Sequence, residues 1–164
     1  MPTPAQRYDG RWARLYEAVD SLPGLRSWRA KSVELLNVAP DDTVVEMGCG
    51  TGANVPYLRE RVPDGRVVGV DLTREMLAQA RDRDERTGDG VGYVQADATR
   101  PPIRAADAVL ATFVVGMFDD PAAAVDRWCD LVGSGGEVAL LNFQRSERAL
   151  AAPLNLVFEG FVRL

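Results

Sequence analysis

The sequence contains no histidine, one lysine (Lys31) and two cysteines, and each shortage removes a kind of chemistry. Without imidazole, no side chain has an ordinary pKa near neutrality. Proton transfer would have to use Asp, Glu, Tyr, Cys, Lys31 or water. Cys49 and Cys129 are the two thiols, and Cys49 lies inside a glycine-rich stretch. Two such residues make no disulfide framework and, with no histidine beside them, no zinc spacing, so reduced thiols and no metal are expected. Long hydrophobic runs are missing too. The longest uncharged apolar stretch, residues 108–118, is well short of a membrane span. Residues 1–10 carry Arg7 and Asp9 with no apolar core for a signal peptide, so a cytoplasmic location is expected. Nor is there an excess of positive charge. Against 24 acids stand 19 bases, a net charge of -5, which argues against nucleic acid as a partner because duplex binding rests on a concentrated basic face.

What the 164 residues do contain, at 46% hydrophobic and 26% charged, is enough apolar material for one soluble globular domain. The most informative stretch is residues 44–52, Val-Val-Glu-Met-Gly-Cys-Gly-Thr-Gly. An apolar strand there runs into three alternating glycines, and a second apolar run, residues 66–70, stops at Asp71. Gly48, Gly50 and Gly52 allow the backbone to turn sharply and approach a ligand. An acid closing the next strand can accept both hydroxyl protons of a ribose. Together they read as a cleft for a nucleoside.

Around this motif, strand and helix patterns alternate. Trp12, Leu15, Tyr16 and Val19, and then Leu25, Trp28, Ser32, Leu35 and Leu36, keep helical spacing, which predicts two helices within residues 1–39. Trp12, Trp28 and Trp128 all sit in such stripes and are expected in the core. Strands are expected at residues 43–47, 66–70, 92–95, 107–112 and 137–143. Helices are expected from Val55 through Leu58 and Val62, after Thr73 with Met76, Leu77 and Ala80, and after Asp120 and Pro121 with Val125, Trp128, Leu131 and Val132. Five repeats of strand and helix predict an α/β fold, a Rossmann-like, doubly wound and mostly parallel sheet with helices on both faces, its core spanning residues 43–143. Residues 144–164 form an amphipathic segment with Leu150, Leu154, Val157, Phe158, Phe161 and Leu164 on one side.

Gly48, Gly50 and Ala53 satisfy the general dinucleotide pattern, so the glycines alone leave a nicotinamide or flavin enzyme open. Four features in order narrow this: Glu46-x-Gly48-x-Gly50-x-Gly52, Asp71 closing the second strand, Gln95-Ala96-Asp97-Ala98 after the third, and Leu-Val-Gly-Ser-Gly-Gly at residues 131–136 before the fifth. In this order the chain resembles the class I S-adenosylmethionine-dependent methyltransferases. Arg7-Tyr8-Asp9 and its helices are similar to the small-molecule, quinone and phospholipid subgroup.

The resemblance implies S-adenosylmethionine as cofactor and methyl transfer to a small-molecule or lipid-like acceptor. It implies that Gly48, Gly50 and Gly52 run beneath the methionine part, Asp71 holds the ribose hydroxyls and Leu72 packs on the adenine. Asp97 would accept from the adenine amino group with Ala98 beside it, and Thr112 and Phe113 would face the methyl group. Glu46 joins this set by pinning the loop. Plainer roles exist, since Asp71 could cap the helix at Thr73 and Asp97 could cap a turn before Pro101. Tyr8, Tyr16, Glu46 and Tyr57 are the nominations for a proton acceptor, and none is selected. Two rival functions remain: an NAD(P)-dependent oxidoreductase, for which a Tyr-x-x-x-Lys pair is missing, and a non-catalytic cofactor-binding module. The family pattern runs on past Phe143 through further strands while this sequence stops at Leu164, so a truncated chain is expected. Otherwise a second copy of the chain or a lipid surface would cover the 144–164 stripe.

Overall fold

A computed structural model describes residues 23–84 and 91–142. Their five strands are β1 (Thr43–Met47), β2 (Arg66–Asp71), β3 (Val91–Gln95), β4 (Ala108–Thr112) and β5 (Glu137–Leu141). All neighbours pair in parallel in the order β3-β2-β1-β4-β5. The helices are α1 (Pro23–Glu34), α2 (Val55–Arg61), α3 (Arg74–Asp84) and α4 (Pro121–Val132), with a short 3-10 turn at Val115–Met117. This is the expected doubly wound sheet. Of the two expected N-terminal helices, α1 is present, whereas Trp12, Tyr16 and the stripe around them lie outside the described residues, as do Tyr8, Phe143 and residues 144–164.

The strands read as continuous apolar runs because both faces of the sheet are covered. Along β1 and β4 the side chains alternate between two cores. Val45, Met47, Val109 and Ala111 join Trp128 and Ala124 of α4, while Val44, Ala108 and Leu110 join Val33 and Leu36 from α1 and its exit, and Val55, Leu58 and Val62 from α2 and its exit. The same parity places Glu46 and Thr112 on the face that α1 and α2 cover. Asp107 pins the mouth of the sheet, its carboxylate accepting from the Thr43 amide at 2.8 Å while its own amide donates to the Thr43 carbonyl at 2.9 Å.

One expectation about α1 is corrected. Trp28 is 51% exposed and Leu35 71% exposed, whereas Arg29, Ser32, Val33 and Leu36 are buried. The helical period was right and Ser32 and Leu36 of the expected stripe are buried, but its phase is shifted toward Arg29, a buried guanidinium that a search for apolar residues passes over. Trp128, by contrast, is fully buried in the core. Its indole Nε1 donates to the Ala98 carbonyl at 2.8 Å, and Phe118 meets its ring edge to face at 5.9 Å. Helix α4 is well terminated, with the Asp120 carboxylate accepting from the Ala123 amide, Pro121 in its first turn and Gly133 at φ 66° at its end.

Trp128→Ala is expected to cost ~3–5 kcal/mol through the cavity it opens. Trp128→Phe should cost roughly 1–3 kcal/mol, chiefly by stranding the Ala98 carbonyl. Denaturant unfolding of the two variants checks this, and a Trp128→Phe variant as stable as wild type would mean that the indole hydrogen bond contributes nothing. Among the described residues no helix is long and apolar enough to cross a membrane.

Candidate functional site

The chain leaves β1 toward β2 on one side and returns to β4 on the other, so the carboxyl ends of β1 and β4 diverge. A crevice at such a switch point is where open parallel sheets hold ligands. The glycine loop sits there. Gly48, Gly50 and Gly52 take φ values of 67°, 54° and 74°, in the left-handed region that side chains resist. The Gly48 and Cys49 amides both donate to the Val70 carbonyl, at 2.8 and 3.0 Å, which ties the loop to the end of β2. At Gly48 a side chain would have no room: a Cβ there would lie 2.5 Å from Val114 Cγ2.

Asp71 closes β2 and does two jobs at once. One carboxylate oxygen accepts from the Gly50 amide at 2.9 Å, and the other accepts from the Thr73 amide at 2.8 Å. One side chain therefore ties the glycine loop to the turn that leads into α3. Burial pushes the Asp71 carboxyl up, outweighing the downward pull of the Thr73 and Gly50 amides and the Thr73 hydroxyl. A carboxylate offers about four acceptor sites, of which the Gly50 and Thr73 amides engage one on each oxygen. Leu72 follows at 41% exposed, an apolar surface beside the carboxylate.

Asp97 is exposed, and one of its oxygens accepts from both the amide and the hydroxyl of Thr99 at 2.8 Å. The neighbouring Ala98 is buried. Leu72 and Asp97 thus follow the ends of the adjacent strands β2 and β3.

Thr112 and Phe113 stand at the exit of β4. Thr112 is 2% exposed, and its hydroxyl oxygen accepts from Arg29 Nη1 at 2.8 Å and from Asn54 Nδ2 at 2.9 Å. Phe113 is the one described non-glycine residue with positive φ, 60°, a conformation that costs ~1–3 kcal/mol for such a residue. Its amide donates to the Leu141 carbonyl at 2.6 Å, and the Arg29 guanidinium lies 5.0 Å from its ring centroid.

Glu46 pins the loop, but by way of a side chain. Its Oε1 accepts from Asn54 Nδ2 at 2.6 Å, and Asn54 Oδ1 accepts from Arg29 Nη1 at 3.2 Å. Asn54 stands at the cap position of α2, yet its side chain makes no cap bond and serves this network instead. A buried cation, an amide and a buried anion are thereby joined beneath the cleft. Sequence reasoning missed Arg29 and Asn54. The one signal for Asn54 was its place directly after Thr51-Gly52-Ala53, at the end of the glycine loop.

Two further groups complete the chemistry. Burial, and then the carboxylates of Glu46 and Asp71, push the Cys49 thiol well up, so it stays protonated and inert at neutral pH. Thr51 is 1% exposed, and among the described residues its hydroxyl has no hydrogen-bond partner. Among the described residues no cluster of acidic or thiol side chains could hold a metal ion.

Comparison with known proteins adds the following. The family described as "Methyltransferase domain" matches residues 45–140. A demethylmenaquinone methyltransferase from Thermus thermophilus is 33% identical over 118 residues, covering 71% of this chain and 54% of that protein. A phosphatidylethanolamine N-methyltransferase from Cereibacter sphaeroides is 34% identical over 114 residues, covering 66% and 55%. The chain thus spans about half the length of these curated relatives. Among solved structures, a SAM-dependent methyltransferase from Aquifex aeolicus superposes with a TM-score of 0.70 at 19% identity, covering 90% of this chain and 87% of that one, a likeness of fold.

Proposed function

Because the chain belongs to the class I S-adenosylmethionine-dependent methyltransferase family, we propose that it binds S-adenosylmethionine and directs methyl transfer to a lipid-like or small-molecule acceptor. This membership takes the place of the nicotinamide enzyme that the glycines alone left open. The observation that carries the reading is Asp71, a half-buried carboxylate at the end of β2 held against the Gly50 amide.

The residues present fit the cofactor. A ribose diol needs a fixed acceptor, and Asp71 is fixed by two backbone amides. An adenine needs an apolar surface and an acceptor at its edge, and Leu72 and Asp97 offer these. The methionine end needs close backbone and polar groups, and Gly48, Gly50, Gly52 and the Thr51 hydroxyl offer those. When bound, the cofactor supplies an electrophilic methyl group on a sulfonium, which is already a strong donor. The protein's part is therefore alignment and exclusion of water, which a chain without histidine can perform. Phe113 and Val114 at the β4 exit wall the loop, and Glu46 acts through Asn54 to keep it in place. No side chain is assigned as a base.

For the acceptor, the names of the two curated relatives, one acting on a demethylmenaquinone and one on phosphatidylethanolamine, support a lipid-like class. Calorimetric titration with S-adenosylmethionine, S-adenosylhomocysteine and NAD in parallel tests the cofactor half. Binding of the first two without the third is expected, and binding of NAD alone would overturn it. Radiolabelled methyl incorporation into extracted quinones and phospholipids tests the acceptor half, and labelling of soluble small molecules alone would remove the lipid.

A further inference from the structure

We propose that Arg29 is a positioning residue for the cofactor cleft, holding the glycine loop through Asn54 and the exit of β4 through Thr112 and Phe113. The proposal rests on the cofactor reading above for its consequence, though not for its geometry.

Arg29 is 4% exposed on a helix that precedes the whole core. Removing a guanidinium from water is costly unless its new partners are fixed and polar. Those partners include the Thr112 hydroxyl at 2.8 Å, the Asn54 amide oxygen at 3.2 Å and the Phe113 ring at 5.0 Å. These three belong to segments that form the cleft. Asn54 passes the hold to Glu46, two residues before Gly48, by a 2.6 Å hydrogen bond. Phe113 passes it to Val114, whose side chain occupies the space where a Gly48 side chain would stand.

The second route contains a stored constraint. Phe113 sits at φ 60°, with its amide bonded to Leu141 and the Arg29 guanidinium over its ring. Weakening the hold on the ring favours relaxation toward ordinary backbone angles, and that motion would carry Val114 off Gly48. Helix α1 does not need Arg29 to dock, because Val33 and its exit residue Leu36 are buried in the core beside Leu58 and Val62. Lysine is only a partial substitute, since its ammonium can donate to two oxygens as Nη1 does but has no planar group to stack on the Phe113 ring.

The test uses hydrogen exchange on the unliganded chain together with titration by S-adenosylhomocysteine, for Arg29→Met, Arg29→Lys and Phe113→Gly. For Arg29→Met, exchange is expected to rise about tenfold at residues 48–54 and 113–114, with little change in the β2 ladder, and affinity to fall about tenfold or more. Arg29→Lys should recover part of both. Glycine needs no support at positive φ, so Arg29→Met should cost less in the Phe113→Gly background than in wild type. A uniform rise in exchange across the sheet, an unchanged loop, or the same loss in both backgrounds would each overturn the proposal. Should Arg29→Met fail to fold, Arg29→Lys with and without Phe113→Gly carries the same comparison. If the wild-type chain binds no S-adenosylhomocysteine, it is the cofactor reading that fails, and the exchange data still decide the role of Arg29.

Discussion

Gly48→Ala is expected to reduce S-adenosylhomocysteine affinity by at least ~30-fold, equivalent to about 2 kcal/mol, and to lower the melting temperature as well. Two costs add at this position. An alanine at φ 67° is in the left-handed region, at roughly 1–2 kcal/mol. Its Cβ would also stand 2.5 Å from Val114 Cγ2 and 2.8 Å from Val114 Cβ, and overpacking of this kind costs roughly 1–3 kcal/mol. A clash with a branched Cβ cannot be relieved by a rotamer change, because Cβ does not move with χ1. Either Val114 and the β4 exit retreat or the glycine loop is displaced, and the loop is the part expected to contact the ligand.

Val114→Ala in the same chain is expected to restore part of the loss, since it removes the two Cγ contacts at 2.5 and 3.1 Å but leaves the 2.8 Å approach of Cβ and the backbone strain. Gly92→Ala is the control. Among the described residues Gly92 has no atom within 4 Å of where its Cβ would be, so a substitution there should leave affinity unchanged. Titration and thermal melts of the four proteins check the set. Wild-type affinity in Gly48→Ala would mean that the loop does not approach the ligand.

Gly48 was legible in the sequence because its function is a backbone conformation, and a glycine in an alternating set after a strand advertises that directly. Asp71 was legible for a similar reason, as the residue that ends an apolar run. The order of the strands followed from the repeat of strand and helix, with parallel pairing the physical consequence of crossover connections. What could not be read is the network under the cleft. Arg29 bonds to Asn54 and Thr112, which lie 25 and 83 residues away in sequence. No local periodicity records such a pairing, and a charged residue in an amphipathic helix scores as solvent-facing. The same rule misplaced Trp28, whose stripe was chosen for its apolar members. Strand parity was the available clue, since counting by twos from Val44 and from Ala108 brings Glu46 and Thr112 to the face α1 covers. A buried acid and hydroxyl on that face require a partner, and the helix above them carries Arg29.

Asp71→Asn is expected to weaken S-adenosylhomocysteine binding about 100-fold while lowering the melting temperature by no more than a few degrees. The affinity loss follows from hydrogen bonds to a charged acceptor, ~1.5–3 kcal/mol each, of which a ribose diol would make up to two. An amide can still accept at one oxygen, but its NH2 group then faces a backbone amide, either Gly50 or Thr73, that the carboxylate had satisfied. Stability responds in the opposite sense. The folded carboxyl is raised from the ordinary 3.8 because burial disfavours its charge, so the folded chain binds a proton more tightly than the unfolded one. The penalty for ionising Asp71 therefore sets in as pH rises above 3.8, grows until the raised folded value is passed, and is constant above it. At neutral pH the wild-type chain carries that penalty in full, and asparagine removes it, which offsets the hydrogen bond it loses. Affinity in the wild type should move the other way across the same window, falling as pH drops and the carboxylate gains its proton. Titrations across that window in wild type and in Asp71→Asn separate the two effects. A variant that lost stability heavily and kept its affinity would show Asp71 to be a cap for α3 and nothing more. A variant that kept stability and lost affinity, with its pH dependence flattened, would fix the carboxylate as the ribose acceptor, held under strain at the end of β2 for that purpose.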